Sequence, residues 1–301
     1  LFLLKLPYLF FDLGVAFLLL KFFGQAKQKK LALLLWVFNP LALYTSFMVG
    51  QFDVIPVFFV ILGLYMASLS KKHWAVVFLG VGGSLKLFPL LFLPLFVLVL
   101  GKSSWEKLKL GVLGLLPYLL TIAPFIPSPA FRQVVLFSNQ SQKMLFMSLP
   151  VSGAEGIYVF IVSLVLLWFW TGYTKPALEH LWKYILITLL LFFSVTHFHP
   201  QWFLWITPFV IFELVKHGWQ NKWLHLILFS SWFLLLLFFE GSLSYGLFAP
   251  IWPQLERIQG LSEIFAKYTD VFQLKSLIRS VFAAASIFLI FRLFVFKKRD
   301  V

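Results

Sequence analysis

The sequence predicts an all-α fold, a polytopic transmembrane helical bundle of about nine spans plus a re-entrant-like helical hairpin. Three observations carry that expectation. Of 301 residues, 61% are hydrophobic and only 12% charged, whereas a soluble domain is about half apolar and about a quarter charged. Mean hydropathy is +0.94. The apolar residues come in continuous runs, separated by short clusters carrying Lys, Trp or Pro. Crossing about 30 Å of hydrocarbon takes roughly 20 helical residues, and only helices or closed barrels satisfy their backbone there. Continuous rather than alternating runs exclude barrel strands.

The runs place spans at 6–23, 31–49, 54–69, 110–126, 150–170, 184–197, 202–215, 223–239 and 274–296. Orientation follows from loop charge, because cytoplasmic loops carry the excess of Lys and Arg. Lys27, Lys29 and Lys30, then Lys71 and Lys72, then Lys102, Lys107 and Lys109 mark one side. Lys175 and Lys183, Lys216 and Lys222, and the terminal Lys297, Lys298 and Arg299 continue it. Trp74, Trp105, Trp182, Trp219 and Trp223 sit beside these lysines, as an interfacial aromatic belt does. The remaining run, 74–100, is basic at both flanks and interrupted by Lys86 and Pro89. Each arm is too short to cross alone, so it reads as a hairpin with Lys86 at its tip; a single tilted span would put the next basic loop outside.

The opposite, extracytoplasmic side receives 50–53, 127–149, 197–201 and 240–273. Within it, Ile258, Leu261, Phe265, Tyr268 and Phe272 recur at three- and four-residue steps, predicting an amphipathic helix over 255–272. Residues 131–143 are a weaker version, and Asn139-Gln140-Ser141 has the form of a glycosylation sequon. The chain reads as one transmembrane domain, 1–301. It opens on Leu1, already inside an apolar run, which suggests a fragment.

The net charge of +14 would suit nucleic acid, but the basic residues lie between apolar segments and form no long tract, so nucleic acid is not an expected partner; the lipid bilayer is. Zero cysteines remove disulfides, thiolate metal sites and cysteine nucleophiles.

Ionisable residues at membrane depth face the protein interior or an aqueous cavity. Asp53, in Gly50-Gln51-Phe52-Asp53, is either a helix N-cap or a carboxylate lining an outward cavity. Lys86 needs a counter-charge or an anionic ligand unless it snorkels to the headgroups. His197 and His199 flank one residue in a short outer turn, a spacing that suits a metal or a phosphate and equally suits solvated loop histidines. Asp12 is a fourth candidate. Asp53, Lys86 and the histidine pair come from separate parts of the chain and fall on one side. A carboxylate that takes a proton and cations that neutralise a leaving phosphate would serve phosphate-linked chemistry.

Asn39-Pro40, Gly50-Gln51-Phe52-Asp53, Lys86-Leu87-Phe88-Pro89 with Pro94, and His199-Pro200-Gln201-Trp202 with Trp205 and Pro208 together resemble the GT-C superfamily of membrane glycosyltransferases. The resemblance runs over residues 31–216, toward the mannosyltransferase-like branch that includes GPI mannosyltransferases. It implies a multi-pass enzyme, in the plasma membrane, that transfers a hexose such as mannose from a polyprenyl-phosphate donor. The acceptor is a hydroxyl of a glycan, lipid or protein on the extracytoplasmic face. It further implies Asp53 as a catalytic residue, Gln51 lining the donor or acceptor cavity, Lys86 facing the lipid phosphate, and His197, His199 and Gln201 on the phosphate or sugar. The acidic residue that such enzymes carry in their first outer loop would precede Leu1, and the need for a divalent metal stays open. Two other classes fit the composition: a transporter or lipid-oligosaccharide flippase, and a noncatalytic membrane subunit. Polar groups gathered on one face, without an internal repeat, speak against the transporter.

Overall fold

The computed structural model describes residues 2–137 and 142–295. The sequon at 139–141 and the basic cluster 297–299 lie outside the described residues. The fold is all-α, with one two-stranded hairpin among the described residues. Among the described residues, five helical segments are long and apolar enough to cross a membrane: Leu3–Lys21, Ala26–Met48, Ser104–Phe125, Leu178–Val195 and Val271–Phe294. Shorter apolar helices, Val54–Ser68, Phe88–Leu100, Val159–Thr174 and Lys222–Leu237, pack among them.

Helix α1 (Phe2–Lys21) packs on α2 (Ala26–Val37) and α3 (Val54–Ser68). Between α2 and α3 the chain breaks at Asn39-Pro40. The Asn39 side chain accepts from the Leu41 and Ala42 amides, restarting a turn that becomes a π-helix, Leu43–Met48. Proline cannot donate to the preceding turn, so the helix must stop and be capped again.

The predicted hairpin is present. Helix α4 (Lys72–Leu85) ends at Lys86, whose backbone is extended; a 3-10 turn, Phe88–Phe92, then leads into α5 (Leu93–Leu100), which runs back along α4. Gly83 permits that reversal, since a Cβ there would lie 2.6 Å from Leu90 Cγ. Helix α6 (Ser104–Ile122) is capped by Ser103 and packs closely on α4 where Gly80 meets the Gly114 carbonyl. Lys72 and Glu106 form an ion pair, which places the two basic flanks at the same end of the bundle, opposite Lys86.

The second half centres on α8 (Leu181–Val195), nearly all of whose side chains are buried. Around it stand α7 (Val159–Thr174), α9 (Thr207–Lys216) and α11 (Val271–Val295), with α10 (Lys222–Leu237) packed on α11.

Several local expectations need correction. Residues 150–158 do not begin a span. Strands β1 (Ser148–Ser152) and β2 (Glu155–Tyr158) pair antiparallel around Gly153, whose φ of +49° suits the turn, and the helix starts only at Val159. The helix expected over 255–272 is interrupted: a 3-10 turn (Pro253–Arg257) and a short helix (Leu261–Phe265) precede α11. The Asp270 carboxylate accepts from the Phe272 amide at 2.8 Å and so starts α11 afresh. The span at 202–215 divides into a 3-10 segment, Pro200–Trp205, and the buried α9. Trp182 is no belt residue. It is 3% exposed and stacks on Phe212, with centroids 5.8 Å apart.

Candidate functional site

Three turns converge at the end of the bundle opposite the lysine-rich loops: the loop before α3, the tip of the α4/α5 hairpin, and the segment joining α8 to α9. Asp53 is completely buried. Its side chain makes no cap bond to α3. Instead Lys86 Nζ reaches Asp53 Oδ1 at 2.6 Å, and the Trp205 indole N–H donates to the same oxygen. Asp53 Oδ2 is buried with no hydrogen-bond partner among the described residues.

An aromatic frame holds this pair. Trp205 stacks on Phe88 at 4.1 Å with the rings 6° from parallel, and on Trp202 at 5.2 Å and 13°. The Lys86 ammonium lies 5.2 Å from the Trp205 ring and 5.5 Å from that of Trp202, where ring quadrupoles attract a cation. A second cation, Lys143, comes from the loop preceding β1. It lies 5.5 Å from the Trp202 ring and donates to His199 Nε2 at 2.9 Å. Lys86, Lys143, Met144, Leu91 and Trp202 line a cavity of about 260 Å³.

The structure thus brings Asp53, Lys86 and His199 into one cluster. His197 sits at its edge, its ring 5.8 Å from that of His199. Gln51 and Gln201 lie beside the cluster and both touch Thr45: the Gln51 amide donates to the Thr45 carbonyl at 2.9 Å, and the Thr45 hydroxyl donates to the Gln201 carbonyl at 3.4 Å. The Gln201 Oε1 atom is buried without a hydrogen-bond partner among the described residues. Asp12 is not part of the cluster; its backbone carbonyl accepts from the Trp36 indole.

Sequence reading passed over Lys143, Lys275 and Arg279. Lys275 and Arg279 stand one turn apart near the start of α11, and Arg279 packs on Phe198, 5.0 Å from its ring centroid. Their i, i+4 spacing at the outer end of an apolar run was the available signal. Partial desolvation, then the charges of Arg279 and Lys143, hold the His197 pKa down at about 4. Burial, Lys143 and Lys86 likewise lower that of His199, and burial lowers that of Lys143.

These shifts carry a sign. The fold favours the neutral imidazoles, so their contribution is complete above the ordinary histidine value of 6.5 and is lost as pH falls below it. The detergent-solubilised chain is expected to melt at progressively lower temperature from pH 7 to pH 5. His197→Gln/His199→Gln should flatten that dependence, and an unchanged slope in the double variant would place the sensitivity elsewhere.

Residues 1–215 match the family described as GPI transamidase subunit PIG-U. The chain belongs to the PIG-U family. Comparison with curated proteins and with solved structures returns no match. The family match overturns the hexosyltransferase expectation, since PIG-U is described as a subunit of a transamidase and not as a glycosyltransferase. It gives no support to a polyprenyl-phosphate sugar donor, or to an active site at the plasma membrane. A multi-pass membrane protein of the PIG-U family is what stands.

Proposed function

We propose that this chain is a noncatalytic membrane subunit of a GPI transamidase-type complex, and that its outer cluster holds the phosphate and sugar portion of the anchor lipid rather than reacting with it. The observation that carries this reading is the PIG-U match over residues 1–215, a stretch that includes Asp53, Lys86, His197, His199 and Gln201.

The geometry supports the noncatalytic part. A general base must reach the proton it abstracts. Asp53 is completely buried, and one of its oxygens is occupied by Lys86 and Trp205. Its charge serves Lys86. The cavity walls offer ammonium groups and indole faces: Lys86 and Lys143, the latter paired with His199, suit a phosphodiester, and Trp202 suits the apolar face of a sugar ring.

Affinity purification of the full-length tagged chain in mild detergent tests the proposal. The expected result is stoichiometric recovery of other membrane subunits, including one with transamidase activity, and no sugar transfer from polyprenyl-phosphate donors by the isolated chain. Recovery of the chain alone, from a host that makes GPI anchors, would overturn it.

A further inference from the structure

A second group of cations stands at the outer end of the bundle, beyond the Lys86/Lys143 cavity. Lys275 and Arg279 share one face of α11, four residues apart. Lys275 is one turn from the start of that span, its ammonium 5.8 Å from the ring centroids of both Phe239 and Phe272. Arg279 lies about 6 Å further along the helix axis, toward the bilayer centre. A snorkelling side chain would turn back toward the headgroups. The Arg279 guanidinium instead lies against the ring of Phe198, 5.0 Å from its centroid, and Phe198 is itself 2% exposed.

A guanidinium at that depth is costly unless an anion meets it. No carboxylate among the described residues forms an ion pair with Arg279, Lys275 or Lys143. Asp53 is taken by Lys86 and Trp205, and Asp270 caps α11 through the Phe272 and Gln273 amides. Glu240 is exposed and acts on His199. The other neighbours add positive charge. Arg279, Lys143 and Lys275 all act on His197, and Phe239, beside Lys275, has its ring 6.3 Å from that of His199. Arg279 and Lys275 thus extend the outer cluster with cations that the protein itself leaves without a counter-charge among the described residues.

We propose that Arg279, Lys275 and His197 form a second phosphate subsite, filled by the headgroup of a phosphate-monoester lipid from the outer leaflet. A guanidinium grips two phosphate oxygens at once, an ammonium adds a point charge, and an imidazole donates one N–H. The ligand chemistry is a phosphate ester, which a lipid headgroup or a soluble phosphate could supply; the position on a membrane-spanning helix, beside Phe239 and Phe272, selects the lipid. Lys275 and Arg279 lie beyond the stretch 1–215 that matches the PIG-U family, and this subsite does not depend on the function proposed for the Lys86/Lys143 cavity.

The test uses the full chain in neutral detergent, titrated by calorimetry with short-chain phosphatidic acid, short-chain phosphatidylcholine and inorganic phosphate. The parent should bind two equivalents of phosphatidic acid, one at Lys86/Lys143 and one at Arg279. Lys275→Gln/Arg279→Gln should retain one, and so should Lys143→Gln, which strikes the other subsite. Arg257→Gln, a change at an exposed cation of the outer loop, should retain both. Phosphatidylcholine and inorganic phosphate should fill the Arg279 subsite at least tenfold more weakly. Should the double variant melt early, Arg279→Lys decides: it keeps the charge but loses the two-pronged grip, and should weaken that equivalent at least tenfold. A single equivalent that needs Arg279 and not Lys143 upholds this subsite and removes phosphate from the Lys86/Lys143 cavity. A single equivalent abolished by Lys143→Gln, or undiminished binding in the Arg279 variants, overturns the subsite. Inorganic phosphate binding there as tightly as the lipid overturns the lipid as its occupant.

Discussion

Lys86→Ala is expected to destabilise the chain by about 3 kcal/mol or more, the scale for removing one partner of a buried ion pair. The loss comes chiefly from what remains. Asp53 is 0% exposed, and after truncation of Lys86 its carboxylate would keep, among the described residues, only the Trp205 indole as a donor. The converse change should be milder. The Lys86 side chain is 22% exposed at the tip of its hairpin, so in Asp53→Asn it can turn toward the cavity, while the amide oxygen still accepts from Trp205. A cost of about 1–2 kcal/mol is expected there, on the scale of hydrogen bonds to a charged group. Lys86→Met combined with Asp53→Asn should be more stable than Lys86→Ala alone, because no isolated charge stays buried. Unfolding of the four proteins in mixed micelles, analysed as a double-mutant cycle, measures the coupling. If Lys86→Ala proves no worse than Asp53→Asn, Lys86 does not neutralise Asp53 and the outer cluster is wrongly assembled.

The membrane bundle, the hairpin at 74–100 and the convergence of Asp53 with Lys86 were legible because each follows from where charge can sit. Basic residues flank both ends of the hairpin, and a buried carboxylate in a polytopic chain requires a cation. What the sequence could not supply was the consequence of pairing. Asp53 looked available for chemistry until Lys86 and Trp205 were found on it, and those partners arrive from 33 and 152 residues away. The motifs around Asn39-Pro40, Gly50-Gln51, Lys86-Leu87 and His199-Pro200 mark breaks, turns and packing points of the architecture. A chain of the PIG-U family needs such breaks to build its frame.

The misread segments have local causes. Leu149, Val151, Ile157 and Tyr158 extended the apolar run of α7 backwards, although Gly153 and Gly156 were turn signals inside it. The periodicity at 255–272 was real, but Gly260 and Asp270 reset the helix within it. Lys143 escaped notice because its loop is far from His199 in sequence, 56 residues away.

Replacing Glu213 is expected to have the other large effect, and its network was readable only in hindsight. Glu213, His217, Asn221 and His225 stand four residues apart in succession, one ridge of a helix that the chain does not in fact continue. Helix α9 ends at Lys216, and the reversal uses positive φ at Gly218 (+58°) and Trp219 (+67°) before α10 begins at Lys222. Glu213 spans that corner from inside. Its Oε1 accepts from His217 Nδ1 at 3.2 Å and from the Asn221 amide, and its Oε2 accepts from His225 Nε2 at 2.5 Å. The carboxylate is 1% exposed, so water cannot replace these bonds when it is removed. Glu213→Ala removes the acceptor of the buried Asn221 amide and His225 imidazole and leaves a cavity, and a loss of about 3–5 kcal/mol is expected. Glu213→Gln keeps the volume but offers one acceptor oxygen where three donors converge, and its amide N–H group meets a donor. That variant should still lose about 1–3 kcal/mol. His225→Ala in the Glu213→Gln background should then cost less than in the parent, since its bond is already broken. Additive losses in that cycle would show that Glu213 and His225 do not share one network, and that the α9/α10 corner is held by its turn alone.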